Sequence, residues 1–104
     1  MRIVIAGAGH VCETFVRKLG KKGHEIVIID ESRDRIDELS KSLDASFLCG
    51  QATNPDLMRE SDPRRTDLLL CLTDSDETNL ICAVLGRSLG IQRVVPSIAR
   101  PEME

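Results

Sequence analysis

The sequence predicts an α/β fold: an open parallel sheet of five strands in the order 3-2-1-4-5, with helices on both faces. Three observations carry that expectation. Short apolar runs alternate five times with helical patterns, joined by short connections, over 104 residues. The first run passes at once into Gly7-Ala8-Gly9 and then a helical stretch, as at the start of a βαβ unit. The second run closes on Asp30, about twenty positions after Gly9.

Arg2 to Ala6 is nearly continuous β-branched and apolar sequence, which suits a strand covered on both faces. The helix after Gly9 carries Val11, Phe15, Val16 and Leu19, spaced for one buried stripe, and Gly20 or Gly23 ends it. Lys21 and Lys22 suit the negative end of its dipole. Glu25 to Ile29 reads as the second strand, closed by Asp30. Ser32 then caps a helix running to about Leu43, with Ile36, Leu39 and Leu43 apolar and Arg33, Asp34, Arg35, Asp37 and Glu38 facing water. Ala45 to Cys49 is a short third strand, followed by Gly50-Gln51-Ala52-Thr53. Asn54-Pro55 is a cap with Pro at the first helical position, and the short helix from Asp56 to about Ser61 stops before Pro63. Asp67 to Leu72 is the fourth strand. Thr73 to Thr78 is a helix entrance rich in capping groups; that helix carries Leu80, Ile81, Val84, Leu85 and Leu89 and ends at Gly90. Arg93 to Ile98 is the fifth strand, and Pro96 places it at a sheet edge. Residues 100–104 show no pattern.

The totals narrow the function classes. The length suits one domain and leaves no room for a second, substrate-binding one. A net charge of -3 argues against nucleic acid, whose phosphates need a basic face. No apolar run approaches the roughly 20 residues that span a bilayer, so direct membrane insertion is not expected. The N-terminus enters a strand without a signal-peptide layout, which predicts a cytoplasmic chain. Cys12, Cys49, Cys71 and Cys82 form no C-x-x-C pair and sit in apolar contexts, so they read as buried free thiols. His10 and His24 make no metal cluster.

The candidate chemistry lies at the carboxyl ends of the strands, where open α/β sheets bind ligands. Gly7 permits a tight turn, Gly9 lets the backbone approach a pyrophosphate, and the amides near His10 and Val11 meet its charge. The competing reading is a tight turn without a ligand. Asp30 is placed to accept hydrogen bonds from the ribose hydroxyls of an adenosine. Its charge repels a 2′-phosphate, which favours NAD or an adenine nucleotide over NADP, although Arg33 is able to reach such a phosphate. Alternatively Asp30 merely caps the next helix. Cys12 stands where a third Gly is usual; small-residue packing is preferred over a thiol activated by the helix N-terminus. Gln51 suits an adenine edge, and Thr73 a ribose or phosphate. Asp74, Asp76 and Glu77 suggest either a cation site or, preferably, a reciprocal helix cap between Asp74 and Glu77.

Together these segments resemble the N-terminal nucleotide-binding domain of TrkA-type potassium-uptake regulators, the RCK or KTN domain. The resemblance rests on Ile3 to Val11, Gly23 to Asp30, Gly50 to Asn54, Leu72-Thr73-Asp74 and Glu77 to Leu80, and covers nearly the whole chain. It implies a single Rossmann-like domain over residues 1–104 that lacks the family's last strand and helix. It implies a regulatory rather than enzymatic role, binding NAD(H) or alternatively ATP or ADP. It further implies a homodimer or larger ring on the cytoplasmic face of a membrane potassium channel or transporter subunit, moved by nucleotide occupancy. The nucleotide-binding residues it implies are Gly7, Ala8, Gly9, His10, Val11, Asp30, Glu31, Gly50, Gln51, Ala52, Thr53, Thr73, Asp74 and Asn79, with no catalytic residue and no metal ligand. The chain departs from the family at Cys12, usually Gly; at Gln51, usually Asp; at His10, often Arg; and at Ser97, usually Arg.

Three other classes remain on the table. A short-chain oxidoreductase needs a Tyr-x-x-x-Lys pair, and this chain has no Tyr. A methyltransferase also places an acid after the second strand, but it normally has a larger sheet and a further glycine where His10 stands. A dimerising scaffold without ligand is the third, made credible by Cys12 and Gln51.

Overall fold

The computed structural model describes residues 1–19 and 22–99. Its strands are β1 (Arg2–Ala6), β2 (Glu25–Asp30), β3 (Ser46–Cys49), β4 (Leu68–Cys71) and β5 (Arg93–Pro96). All pair in parallel, in the order β3-β2-β1-β4-β5. The helices are α1 (His10–Leu19), α2 (Arg33–Ser40), α3 (Pro55–Glu60) and α4 (Asp76–Ser88), with a short 3₁₀ turn over Pro63–Arg65 that the sequence reading did not anticipate.

Alternation along the central strands builds two apolar layers. Ile3, Ile5, Ile26 and Ile28 pack with Cys12 and Val16 of α1 and Leu39 of α2 on one face. Val4, Ala6, Val27, Ile29 and Leu69 pack with Met58 of α3 and Cys82 and Ala83 of α4 on the other. β1 and β2 therefore read as unbroken apolar runs because each residue in turn meets a helix.

The helices carry the corrections. Val11 is 64% exposed, and the buried side of α1 is Cys12 and Val16, flanked by half-buried Phe15 and Leu19. Phe15, Val16 and Leu19 face the core as expected, and Cys12 takes the place of Val11 in the stripe. Gly20 and Lys21 lie outside the described residues, as do residues 100–104. The Ser32 cap is present, accepting from Arg35 N at 3.1 Å, but α2 ends at Ser40 and Leu43 is buried just beyond it. α4 is capped by Ser75, which accepts from Thr78 N at 3.1 Å, instead of by an Asp74–Glu77 pair. Leu80, Ile81 and Val84 are exposed, whereas Asn79, Cys82, Ala83 and Gly86 are buried. Small residues face the sheet because α4 lies close on β4: a Cβ at Gly86 would collide with the Leu69 side chain. Cys12, Cys71 and Cys82 are buried free thiols, and Cys49 is only half buried.

Candidate functional site at the carboxyl edge of the sheet

The strand ladders continue one residue past the strands. Gly7 N donates to Ile29 O at 2.8 Å, Gly50 N to Asp30 O at 2.9 Å and Leu72 N to Ala6 O at 2.8 Å. The loops leaving β1 to β4 therefore start at one level, and a cleft of about 680 Å³ opens between them. Gly7, Ala8, Gly9, His10, Val11, Asp30, Glu31, Gly50, Gln51, Ala52, Thr53, Thr73 and Asp74 all line it.

The two glycines of the first loop differ in kind. Gly7 has φ +107, and a Cβ there would lie 2.8 Å from the Leu72 carbonyl and from Thr73 N. The fold itself requires glycine at that position. At Gly9 a Cβ would meet nothing within 4 Å. Packing within the chain gives no reason for glycine there, whereas a ligand approaching the backbone does. The first amides of a helix have no partner within it. Among the described residues, no protein acceptor takes the N–H of Gly9, His10 or Val11 either. Space and donors thus coincide at the start of α1, where the helix dipole favours an anion.

Asp30 is half-buried at the end of β2. Its Oδ1 accepts from Ala8 N and its Oδ2 from Ser32 N, each at 2.9 Å. Each carboxylate oxygen has two lone pairs, so one acceptor direction per oxygen remains for a ligand hydroxyl. Ser32, not Asp30, is the helix cap.

Arg33 does not line the cleft; Arg35 does, although its sequence context reads as a solvated helix face. Its Nε donates to Ala8 O at 2.6 Å, and its two terminal nitrogens pair with Glu13 and Glu38, each at 3.1 Å. Hydrogen bonds from Arg17 and then Arg35 hold the Glu13 carboxyl below the usual carboxylate range. Ile29, Ser32, Leu72, Thr78 and Ser97 complete the lining and were not among the nucleotide-binding residues expected from the sequence. Ser97 was within reach of the topology: β5 neighbours β4, and Ser97 N continues that ladder to Cys71 O at 2.9 Å.

Asn79 does not join the cleft. It is buried behind the wall, accepting from Thr73 N and Thr73 Oγ1 and donating to Thr73 O and Ser97 O at 2.7–3.1 Å. It ties the loop after β4 to the end of β5. Asn79→Leu is expected to cost about 2–4 kcal/mol in urea unfolding, because several polar partners lose their mate inside the protein. A loss below roughly 0.5 kcal/mol would remove the latch. Asp76 of the acidic group accepts from Ala99 N at 3.0 Å. Among the described residues, no group of three or more potential metal-binding side chains converges.

Cys12 is fully buried against the first strand layer, and burial pushes its thiol up to about 12. That is the packing role, not the activated one. Cys71 and Cys82 are likewise fully buried free thiols, in the other strand layer, where no reagent reaches them in the folded chain. Iodoacetamide at pH 8 should therefore label Cys49 first, and Cys12, Cys71 and Cys82 only on unfolding. Prompt stoichiometric labelling of Cys12 in the folded chain, read by peptide mass, would restore the reactive reading.

With this geometry in place, the likenesses to known proteins are informative. The sequence model of the TrkA-N domain matches residues 3–104. The Trk system potassium uptake protein TrkA of Vibrio alginolyticus is 34% identical over 103 residues, covering 98% of this chain and 22% of that protein. The chain thus spans about a fifth of that relative's length. Among solved structures, the Kef CTD of Shewanella denitrificans in its AMP-bound form superposes with a TM-score of 0.71 at 25% identity, covering 85% of this chain and 52% of that one. The GsuK channel bound to NAD gives a TM-score of 0.79 at 21% identity, over 89% of this chain and 18% of that one, a likeness of fold. No helix among the described residues is long and apolar enough to cross a membrane. The family match runs through β1, the glycine loop, Asp30 and the cleft to the end of the chain, and the chain belongs to the TrkA-N domain family.

Proposed function

We propose that this chain binds NAD(H) in the cleft, with ATP or ADP as the alternative occupant, and acts as the nucleotide-sensing part of a potassium-transport regulator. The observation that carries the reading is Gly9: a glycine that the chain's own packing does not need, beside amides without acceptors. The pyrophosphate is assigned to that loop, the adenosine ribose to Asp30, and the base to the side of Gln51. The relatives support the choice of ligand and role, being named for potassium uptake or described with NAD or AMP bound.

Sensing needs binding alone. A nucleotide that prefers one arrangement of neighbouring domains shifts the population toward it by the difference in affinity. The chain is proposed to work as a homodimer or larger ring on the cytoplasmic side of a membrane channel or transporter subunit, which reads out that shift. It takes no catalytic step in this account.

Calorimetric titration with NADH, ATP, ADP and S-adenosylmethionine tests the ligand. Saturable binding of NADH or an adenine nucleotide at micromolar concentration, without consumption of NADH, is expected. Preferential binding of S-adenosylmethionine would point to a methyltransferase, and turnover of NADH with a carbonyl substrate to an oxidoreductase. Flat traces with all four would leave a scaffold.

A further inference from the structure

Arg35 is held by three acceptors on three different segments. It lies in the first turn of α2, and its Nε reaches back 27 positions to the Ala8 carbonyl at 2.6 Å. Glu13 on α1 and Glu38 on α2 take the two ends of the guanidinium at 3.1 Å each. Its charge is therefore met by two carboxylates, which makes it a poor partner for an incoming phosphate or 2′-phosphate.

The Ala8 carbonyl matters for what shares its plane. The Ala8–Gly9 peptide is a rigid trans unit in which the C=O and the Gly9 N–H point in opposite directions. A donor that fixes the carbonyl therefore fixes the amide. The preceding peptide is fixed as well, because Ala8 N donates to Asp30 Oδ1 at 2.9 Å. Two successive peptide planes of the glycine loop are thus oriented by side chains from the end of β2 and from α2.

We infer that Arg35 is a positioning residue for the phosphate cradle, aiming the Gly9 amide by holding the Ala8 carbonyl. The inference rests on the nucleotide reading above and assigns within it a role the charge pattern of α2 does not show. It separates donation from charge. Glutamine carries its Nε2 at the same bond distance from Cα as the Nε of arginine, so Arg35→Gln keeps a donor toward Ala8 O and loses the cation. Arg35→Met has the same reach and no donor.

The experiment is calorimetry of NADH and of adenosine, which lacks phosphates, on the parent chain, Arg35→Gln and Arg35→Met, with a thermal melt of each. Arg35→Met should bind NADH about tenfold more weakly, the loss of roughly one oriented hydrogen bond, with adenosine changed less than about twofold. Arg35→Gln should recover NADH binding to within about threefold of the parent. If Gln and Met lose NADH binding equally, Arg35 acts through its charge and the inference falls. It also falls if both bind as the parent does, or if adenosine weakens in step with NADH. A parent chain that binds no NADH overturns the nucleotide reading itself, and this role with it.

Discussion

Gly9→Ala is expected to leave the fold standing and to weaken NADH about ten- to hundredfold, whereas Gly7→Ala should damage the fold itself. The contrast follows from what a Cβ meets at each position. At Gly9 it meets nothing within 4 Å of protein. The only stability cost is that of alanine beside the helix N-terminus, about 1 kcal/mol. A methyl group standing where phosphate oxygens must approach the backbone is an overpacking defect that exists only in the complex. At Gly7 the methyl would stand 2.8 Å from the Leu72 carbonyl, on a residue whose φ is +107. Strain and collision together should cost about 3 kcal/mol or more, a large part of a small domain's total stability. Thermal melts and NADH calorimetry on the two variants separate the effects. Normal NADH affinity in Gly9→Ala would mean that the open space at Gly9 is not the phosphate site.

Asp30→Ala is the second large effect, because Asp30 has two tasks. It anchors Ala8 N and Ser32 N, so its removal should destabilise the chain by about 1–3 kcal/mol. Its remaining acceptor directions are assigned to the ribose, and losing charge-assisted hydrogen bonds should weaken NADH about ten- to hundredfold. The second readout isolates the ligand-facing task. A carboxylate there repels a 2′-phosphate, and Arg35, paired with Glu13 and Glu38, offers it no compensation. The parent should therefore prefer NADH to NADPH, and Asp30→Ala should narrow that preference by losing NADH affinity while NADPH changes little. Calorimetry with both dinucleotides on both chains measures the ratio. An unchanged ratio would leave Asp30 as a loop anchor only.

The same residues show how far the sequence could be read. The strand order, the placement of Asp30 and the glycine loop were legible because each depends on local pattern: apolar runs, turn chemistry and the spacing of a βαβ unit. The phase of the helices was less so. Val11 and Cys12 both fit a helical apolar stripe, and only contact with β1 decides that Cys12 goes inward. On α4, large apolar residues suggested the inner face, but close approach to β4 selects Cys82, Ala83 and Gly86 and leaves Leu80, Ile81 and Val84 outside. Asn79, expected at the nucleotide, is buried behind the cleft wall instead, since a cleft-facing amide and a buried latch look alike in sequence. Arg35 was invisible for a simpler reason: among alternating charges on a short helix, nothing local marks the one that reaches a carbonyl 27 residues earlier.

The loop from Gly7 to Val11 is proposed to cradle the phosphates of a nucleotide. The most direct test is an amide proton–nitrogen NMR titration of the 104-residue chain with NADH. Free amides that gain a charged acceptor shift strongly, so the Gly9, His10 and Val11 resonances should move most, saturably and together with those around Asp30 and Gln51. Saturable shifts confined to other surfaces, or none at any of these three amides when NADH reaches about 1 mM, would contradict it.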